Sequence, residues 1–207
     1  MSNKTTVFKK EVITSKHKFG LLLVSLSVLM LEFTLIRVLS VSLWYHFAFM
    51  IISIALLGLG ISGVTILISD RINKSEINGF LNITSLLYAV SIIVSFIAIN
   101  KIPFDPFSLL TDSSQFLYLP VYYVLITLPF FLAGLIIGQL FTRFKQSINK
   151  LYFYDLIGAG LGCFAFILVL PVFGGSGGIA AASIIACIAT LIFAMQKNRR
   201  QSIALFG

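Results

Sequence analysis

From Phe19 onward the sequence is a succession of apolar blocks. Five of them reach or exceed the roughly 18 residues that a helix needs to cross a bilayer, and a sixth, Gly178 to Met195, just meets that length. Hydrocarbon offers backbone N–H and C=O groups no partner but one another, so blocks this long are read as helices. Composition agrees: 58% of residues are hydrophobic and 11% charged, with a mean hydropathy of +1.04, whereas a soluble domain carries roughly a quarter charged residues. The expectation is an all-α polytopic integral membrane protein of about six transmembrane helices. They are placed at 19–41, 43–68, 80–99, 118–141, 152–173 and 178–195, between a basic segment 1–18 and a basic tail 196–207. The block 19–41 is too long for a signal-peptide core and has no small-residue cleavage site, so it is read as a retained first helix.

The net charge of +8 has to be read by location. With the amino terminus inside, thirteen of the fifteen Lys and Arg residues fall on one side. Only Lys101 falls on the other, and Arg37 lies within the first helix. The positive-inside rule then places both termini of this multi-pass chain on the cytoplasmic side of a cell membrane. It also removes nucleic acid as a partner, because the basic residues mark loops and not one continuous surface. Two connections, around "VSLWYH" and "GGSGG", predict tight antiparallel hairpins, while "NKIPFDPFSLLTDSSQF" (100–116) predicts a segment lying on the outer surface. Cys163 and Cys187 each sit within an apolar block and are read as small packing residues. No metal or other cofactor is expected.

Charged side chains inside such blocks are the candidate functional residues, because each costs roughly 2.5–3.5 kcal/mol at mid-membrane even on a lenient scale. Glu32 lies about 20 Å along the first helix from Phe19, and Arg37 about 7 Å further. Their five-residue spacing turns them about 140° apart, so each is expected to find its partner on another helix. His46 and Tyr45 open the second helix and are expected beside them in an outer polar cluster, with Trp44 and Tyr45 also serving as interface anchors. Asp155, in "LYFYDLIGAGLG", is placed near the amino-terminal end of the fifth helix. The helix dipole favours an anion there, with Arg143 or Lys145 as partner and Gln139 within reach. The alternative for all of these residues is structural pairing without a ligand.

"GLGISG" (58–63) matches a dinucleotide-binding fingerprint letter for letter, yet it lies inside a continuous apolar block where its N–H groups are committed to the helix. Gly58, Gly60 and Gly63 are instead read as helix-packing residues, as are Gly158 and Gly162. Pro120 and Pro129, with Gly134 and Gly138, make the fourth helix the expected place for a bend. His17 is assigned to the basic amino-terminal segment. No zinc, nucleophile-elbow or phosphate-loop pattern is present, so no catalytic residue is assigned.

Three runs, "LEFTLIRVLSVSLWYHFAFMIISIALLGLGISG", "LPFFLAGLIIGQLFTR" and "LYFYDLIGAGLGCFAFILVLPVFGG", together resemble the membrane region of bacterial membrane-bound spermidine-synthase-like proteins. The resemblance rests on Glu32, Arg37, Ser40, Trp44, Tyr45, His46, Gly58, Gly60, Pro129, Gly134, Tyr154, Asp155, Gly158 and Gly162. In that family a multi-helix membrane portion is commonly fused to a soluble aminopropyltransferase-type domain with a Rossmann-like fold. No such domain follows before Gly207. The resemblance therefore implies a membrane module, free-standing or truncated, that binds or carries a polyamine or other small cationic or amphiphilic molecule. It also implies a separately encoded soluble aminopropyltransferase-like domain as a partner, with the bilayer and a homo-oligomer as further partners. Two alternatives remain: a structural subunit with no ligand, and a lipid-modifying enzyme using His46 and Glu32.

Overall fold

The computed structural model describes residues 13–42, 46–102 and 115–205. Their order is α1 (Ser15–Ser42), α2 (His46–Ile68), α3 (Asp70–Lys74), α4 (Ile77–Lys101), α5 (Gln115–Arg143), a single 3-10 turn (Lys145–Ser147) and α6 (Ile148–Leu205). No strand occurs among the described residues, and the fold class is all-α. Five of these helical stretches are long and apolar enough to cross a membrane. The last of them, α6, is divided at Gly174, whose φ of 66° and ψ of −171° are not helical.

α1, α4, α5 and α6 start earlier and end later than their apolar blocks, whereas α2 ends with its block at Ile68. α1 takes in residues 15–18 of the basic segment, α6 begins at Ile148, and its distal arm runs on to Leu205. Hydropathy marks only the part of a helix suited to hydrocarbon, whereas backbone hydrogen bonding continues through the polar flanks. Local chemistry sets the inner turns: Ser69 accepts the Ile72 N–H as the N-cap of α3. α4 stops where Ile102, the residue before Pro103, turns extended at ψ 121°, as the proline ring requires. The connection 103–114 and the residues 43–45 lie outside the described residues.

The "GGSGG" connection is the tight reversal expected of it, made at a single residue. Only Gly174 leaves the helix, and helical geometry resumes at once. A β-carbon on Gly175 would collide with the Val38 side chain, and one on Gly178 would lie 2.7 Å from Thr34 Cγ2. Those glycines permit close packing, and only Gly174 needs its positive φ.

Contacts along α1 give the relative directions of its neighbours. Tyr154, Gly158, Gly162 and Phe166 of the first arm (148–173) meet Phe19, Leu22, Leu26 and Phe33 in ascending order, so that arm runs parallel to α1. Gly175, Gly178, Ala182, Phe193 and Gln196 of the second arm (175–205) meet Val38, Thr34, Ser27, Gly20 and Thr14 in descending order, so it returns antiparallel. α1 therefore lies against both arms of a hairpin. α4 runs parallel to α1, through His17 with Asn78 and Ser27 with Tyr88. α5 descends beside α4 from Tyr122, bonded to the Ile99 carbonyl, to Gln139 at the Ile72 carbonyl. α2 lies along α5, with Gly58, Ser62 and Ile66 against Phe130, Gly134 and Gly138. Gly134 and Gly138 thus seat α2 side chains.

One end of the bundle accordingly gathers Lys16, Arg71, Arg143 and Lys145. The core holds Leu21, Val24, Tyr88, Ile92, Phe130 and Phe193, all at most 1% exposed. The exterior is equally apolar, with Leu67 83% and Leu168 72% exposed. An apolar core beneath an apolar exterior suits hydrocarbon surroundings. Because lipid tails resemble leucine, close packing and interhelical hydrogen bonds hold such helices together, with little help from hydrophobic burial.

Candidate functional site

Asp155 sits two turns inside α6, because the helix begins at Ile148 and not near residue 152. It is therefore neither a cap nor a first-turn anion, and the expected pairing with Arg143 or Lys145 is not formed. Its Oδ1 contacts the Ser25 hydroxyl of α1. Ser25 is buried and also donates to the Leu21 carbonyl at 3.0 Å. Arg143 and Gln139 are engaged elsewhere: an Arg143 terminal nitrogen donates to the Ser75 carbonyl at 2.7 Å, and Gln139 Nε2 donates to the Ile72 carbonyl at 3.1 Å. Both tie α5 to the α3–α4 turn.

Glu32 is half-buried and Arg37 exposed. Neither has a hydrogen bond or ion pair among the described residues. Helical geometry relates Glu32 to Ser25: seven residues return the chain to the same face within about 20°, roughly 10 Å further along the axis. Leu29, between them on that face, packs against Gly162 of the first arm. Glu32 and Asp155 therefore share one strip beside the first arm, at two depths. The His46 backbone begins α2, but its side chain, like Tyr45 and Trp44, lies outside the described residues, so the outer polar cluster does too. The described concavities lie elsewhere. The larger, about 600 Å³, is an open apolar surface on α2 lined by Leu56, Gly60, Ile61 and Val64. No group of His, Cys, Asp or Glu suited to a metal ion occurs among the described residues.

The glycines separate into two sets. Gly58 meets the Phe130 and Phe131 backbone region of α5, while Gly158 and Gly162 meet the Leu22 and Leu26 carbonyls. A β-carbon on Gly60 or Gly63 would meet no other part of the fold within 4 Å, contrary to the packing role expected of them. The reason is angular: 58, 62 and 66 recur at helical spacing on the face toward α5, whereas 60 and 63 point away.

His17 was missed from the sequence because the lysines around it resemble a solvated tail. It is 2% exposed. Its Nδ1 accepts the Thr14 N–H at 3.3 Å and faces Gln196 Nε2 at 3.4 Å, so the ring hydrogen resides on Nε2, which donates to Asn78 Oδ1 at 3.1 Å. The ring also rests on Phe144 at 4.8 Å between centroids. The only sequence signal was His17 one turn ahead of the buried Leu21, on the same face.

Buried hydroxyls join the middle of the bundle. Ser27 donates to the Ala182 carbonyl at 2.8 Å and lies 2.9 Å from the Tyr88 hydroxyl, and Ser183 donates to the Ala89 carbonyl at 3.1 Å. Tyr88→Phe should cost only about 0.6 kcal/mol, the usual worth of an interhelical bond in a membrane, since Ser27 keeps Ala182. Thermal unfolding in detergent would check this, and a loss of several kcal/mol would show that the phenol does more than bridge helices.

Comparison of the chain with protein-family models, curated proteins and solved structures returns no match. The functional reading therefore stands on the residues themselves.

Proposed function

We propose that this chain is a multi-pass bacterial inner-membrane module, with six crossings and both termini cytoplasmic, that binds or carries a small cationic or amphiphilic molecule. A polyamine is the first candidate. The observation that carries this reading is the strip that Glu32 and Asp155 share at two depths, Glu32 lying roughly 10 Å along α1 from the Ser25 that contacts Asp155, with no basic residue paired to either among the described residues. A linear molecule carrying two or more ammonium groups would meet both carboxylates. The gathering of basic side chains at the end that holds Lys16, Arg71, Arg143 and Lys145 supports the orientation. The resemblance to spermidine-synthase-like membrane regions supports the ligand class, and it makes that basic end the docking side for a soluble aminopropyltransferase-like partner.

Uptake or binding of radiolabelled spermidine by the reconstituted protein tests this reading. Glu32→Gln and Asp155→Asn should each weaken binding by roughly 10- to 100-fold, the loss of one charge-assisted hydrogen bond. Uptake equal to that of empty liposomes would remove the polyamine reading. Unchanged binding in both variants would leave the strip without a role.

A further inference from the structure

Ser25 makes two contacts that its one hydrogen cannot serve. Its hydroxyl lies 3.0 Å from the Leu21 carbonyl and also contacts Asp155 Oδ1. A serine hydroxyl carries a single hydrogen, and a carbonyl oxygen can only accept. If Ser25 donates to Leu21, the hydrogen between Ser25 and Asp155 has to come from the carboxyl. Ser27 shows the same pattern with the answer visible: it donates to the Ala182 carbonyl at 2.8 Å, and the Tyr88 phenol, 2.9 Å away, supplies the second hydrogen. Ser25 and Ser27 are 2% and 0% exposed, so solvent supplies neither hydrogen.

We propose that Asp155 is a proton-carrying site: it holds a proton, donated to Ser25, when no cation is bound, and gives that proton up when a cation occupies the same carboxyl. The cation half of the proposal rests on the function proposed above, whereas the proton half rests only on the hydrogen count at Ser25. The exchange balances. A neutral carboxylic acid and an ammonium group enter, a carboxylate paired with that ammonium remains, and one proton passes to water. Net charge at the site stays the same as the two occupants trade, which avoids an uncompensated charge at a depth where one is costly.

The charged and titratable groups toward this carboxyl are few. α1 contributes Lys18, whose ammonium lies 6.0 Å from the Tyr154 ring centroid, and Glu32 two turns beyond Ser25. The arm itself contributes Lys150, Tyr152 and Tyr154, and Arg143 at the end of α5 is held by the Ser75 carbonyl. None of them forms an ion pair with Asp155 among the described residues.

Infrared difference spectroscopy of the reconstituted protein near neutral pH reads the proton directly. A carboxylic-acid C=O band should be present, shift on deuteration, vanish in Asp155→Asn, persist in Glu32→Gln and move in Ser25→Ala. A wild-type protein without this band would overturn the proposal, because Ser25 would then be giving its hydrogen to a carboxylate. Spermidine added to weakly buffered proteoliposomes should release a proton for each cation bound, and Asp155→Asn should release none. Binding without proton release would overturn the exchange, whereas the band without spermidine binding would sink the polyamine reading and leave the proton site standing.

Discussion

Replacing Gly158 with leucine should detach the first arm of α6 from α1. A β-carbon there would lie 2.9 Å from the Leu22 carbonyl carbon and closer still to its oxygen. Backbone cannot rotate out of the way as a flexible side chain can, so the helices have to separate. Gly162 repeats the constraint one turn on, where a β-carbon would lie 2.5 Å from the Leu26 carbonyl oxygen. Separation along this line also removes the Ser25–Asp155 bond and the Phe19–Tyr154 and Phe33–Phe166 ring contacts. The loss should exceed the roughly 1–3 kcal/mol of ordinary overpacking. It would appear as a large fall in the melting temperature in detergent and as loss of cross-linking between cysteines placed on α1 and the first arm. Gly60→Leu is the matched control: a β-carbon there would meet nothing within 4 Å, and its stability should stay within about 0.5 kcal/mol of wild type. Equal stability of Gly158→Leu and Gly60→Leu would show that the arm does not dock on α1 through its glycines.

The same pair of glycines shows what the sequence could reveal. Helix existence was legible because hydrocarbon demands long apolar runs, and those runs are explicit. Which side of each helix meets another was not legible, because lipid and core ask for the same side chains. Leu67 at 83% exposure and Leu21 at 0% are the same residue to a hydropathy scale. Soluble helices reveal their buried face by contrast with polar residues, and here that contrast is absent. Gly58 and Gly60 could therefore be recognised as small without its being known that only Gly58 faces α5.

The acidic residues followed a different rule. Asp155 was noticeable as a carboxylate in an aromatic run, but its role depended on where the helix began. Hydropathy put that start a full turn too late, since Ile148 to Leu151 includes Asn149 and Lys150. Moving the start turned a terminal anion into an interhelical one, and only the fold could supply Ser25 as its partner, 130 residues away. The spacing of Glu32 from Ser25, in contrast, was available from helical geometry throughout. It carried no meaning until Ser25 was known to hold Asp155.

His17→Ala is the second substitution expected to act strongly, at a residue whose charged neighbours hid it. The imidazole links four parts of the bundle: its own helix start through Thr14, α4 through Asn78, the second arm of α6 through Gln196, and the turn after α5 through Phe144. Truncation deletes the donor to Asn78 Oδ1 and the acceptor for the Thr14 N–H, and leaves a ring-sized space beside Phe144. Each buried polar group left without a partner costs about 1–3 kcal/mol, so a combined loss of ~3 kcal/mol is expected. Asn78 already has its Nδ2 unpartnered among the described residues, as Gln196 has its Oε1, so neither amide has a spare bond to compensate. Lys18→Ala, one residue along the same helix, should change stability by less than about 1 kcal/mol, since its one described contact is a distant approach to the Tyr154 ring. If the two variants unfold together near wild type, the imidazole does not hold this end of the bundle. If only His17→Ala falls, the fastening of α1 to α4 and to the second arm of α6 depends on a residue that looks, in sequence, like part of a charged tail.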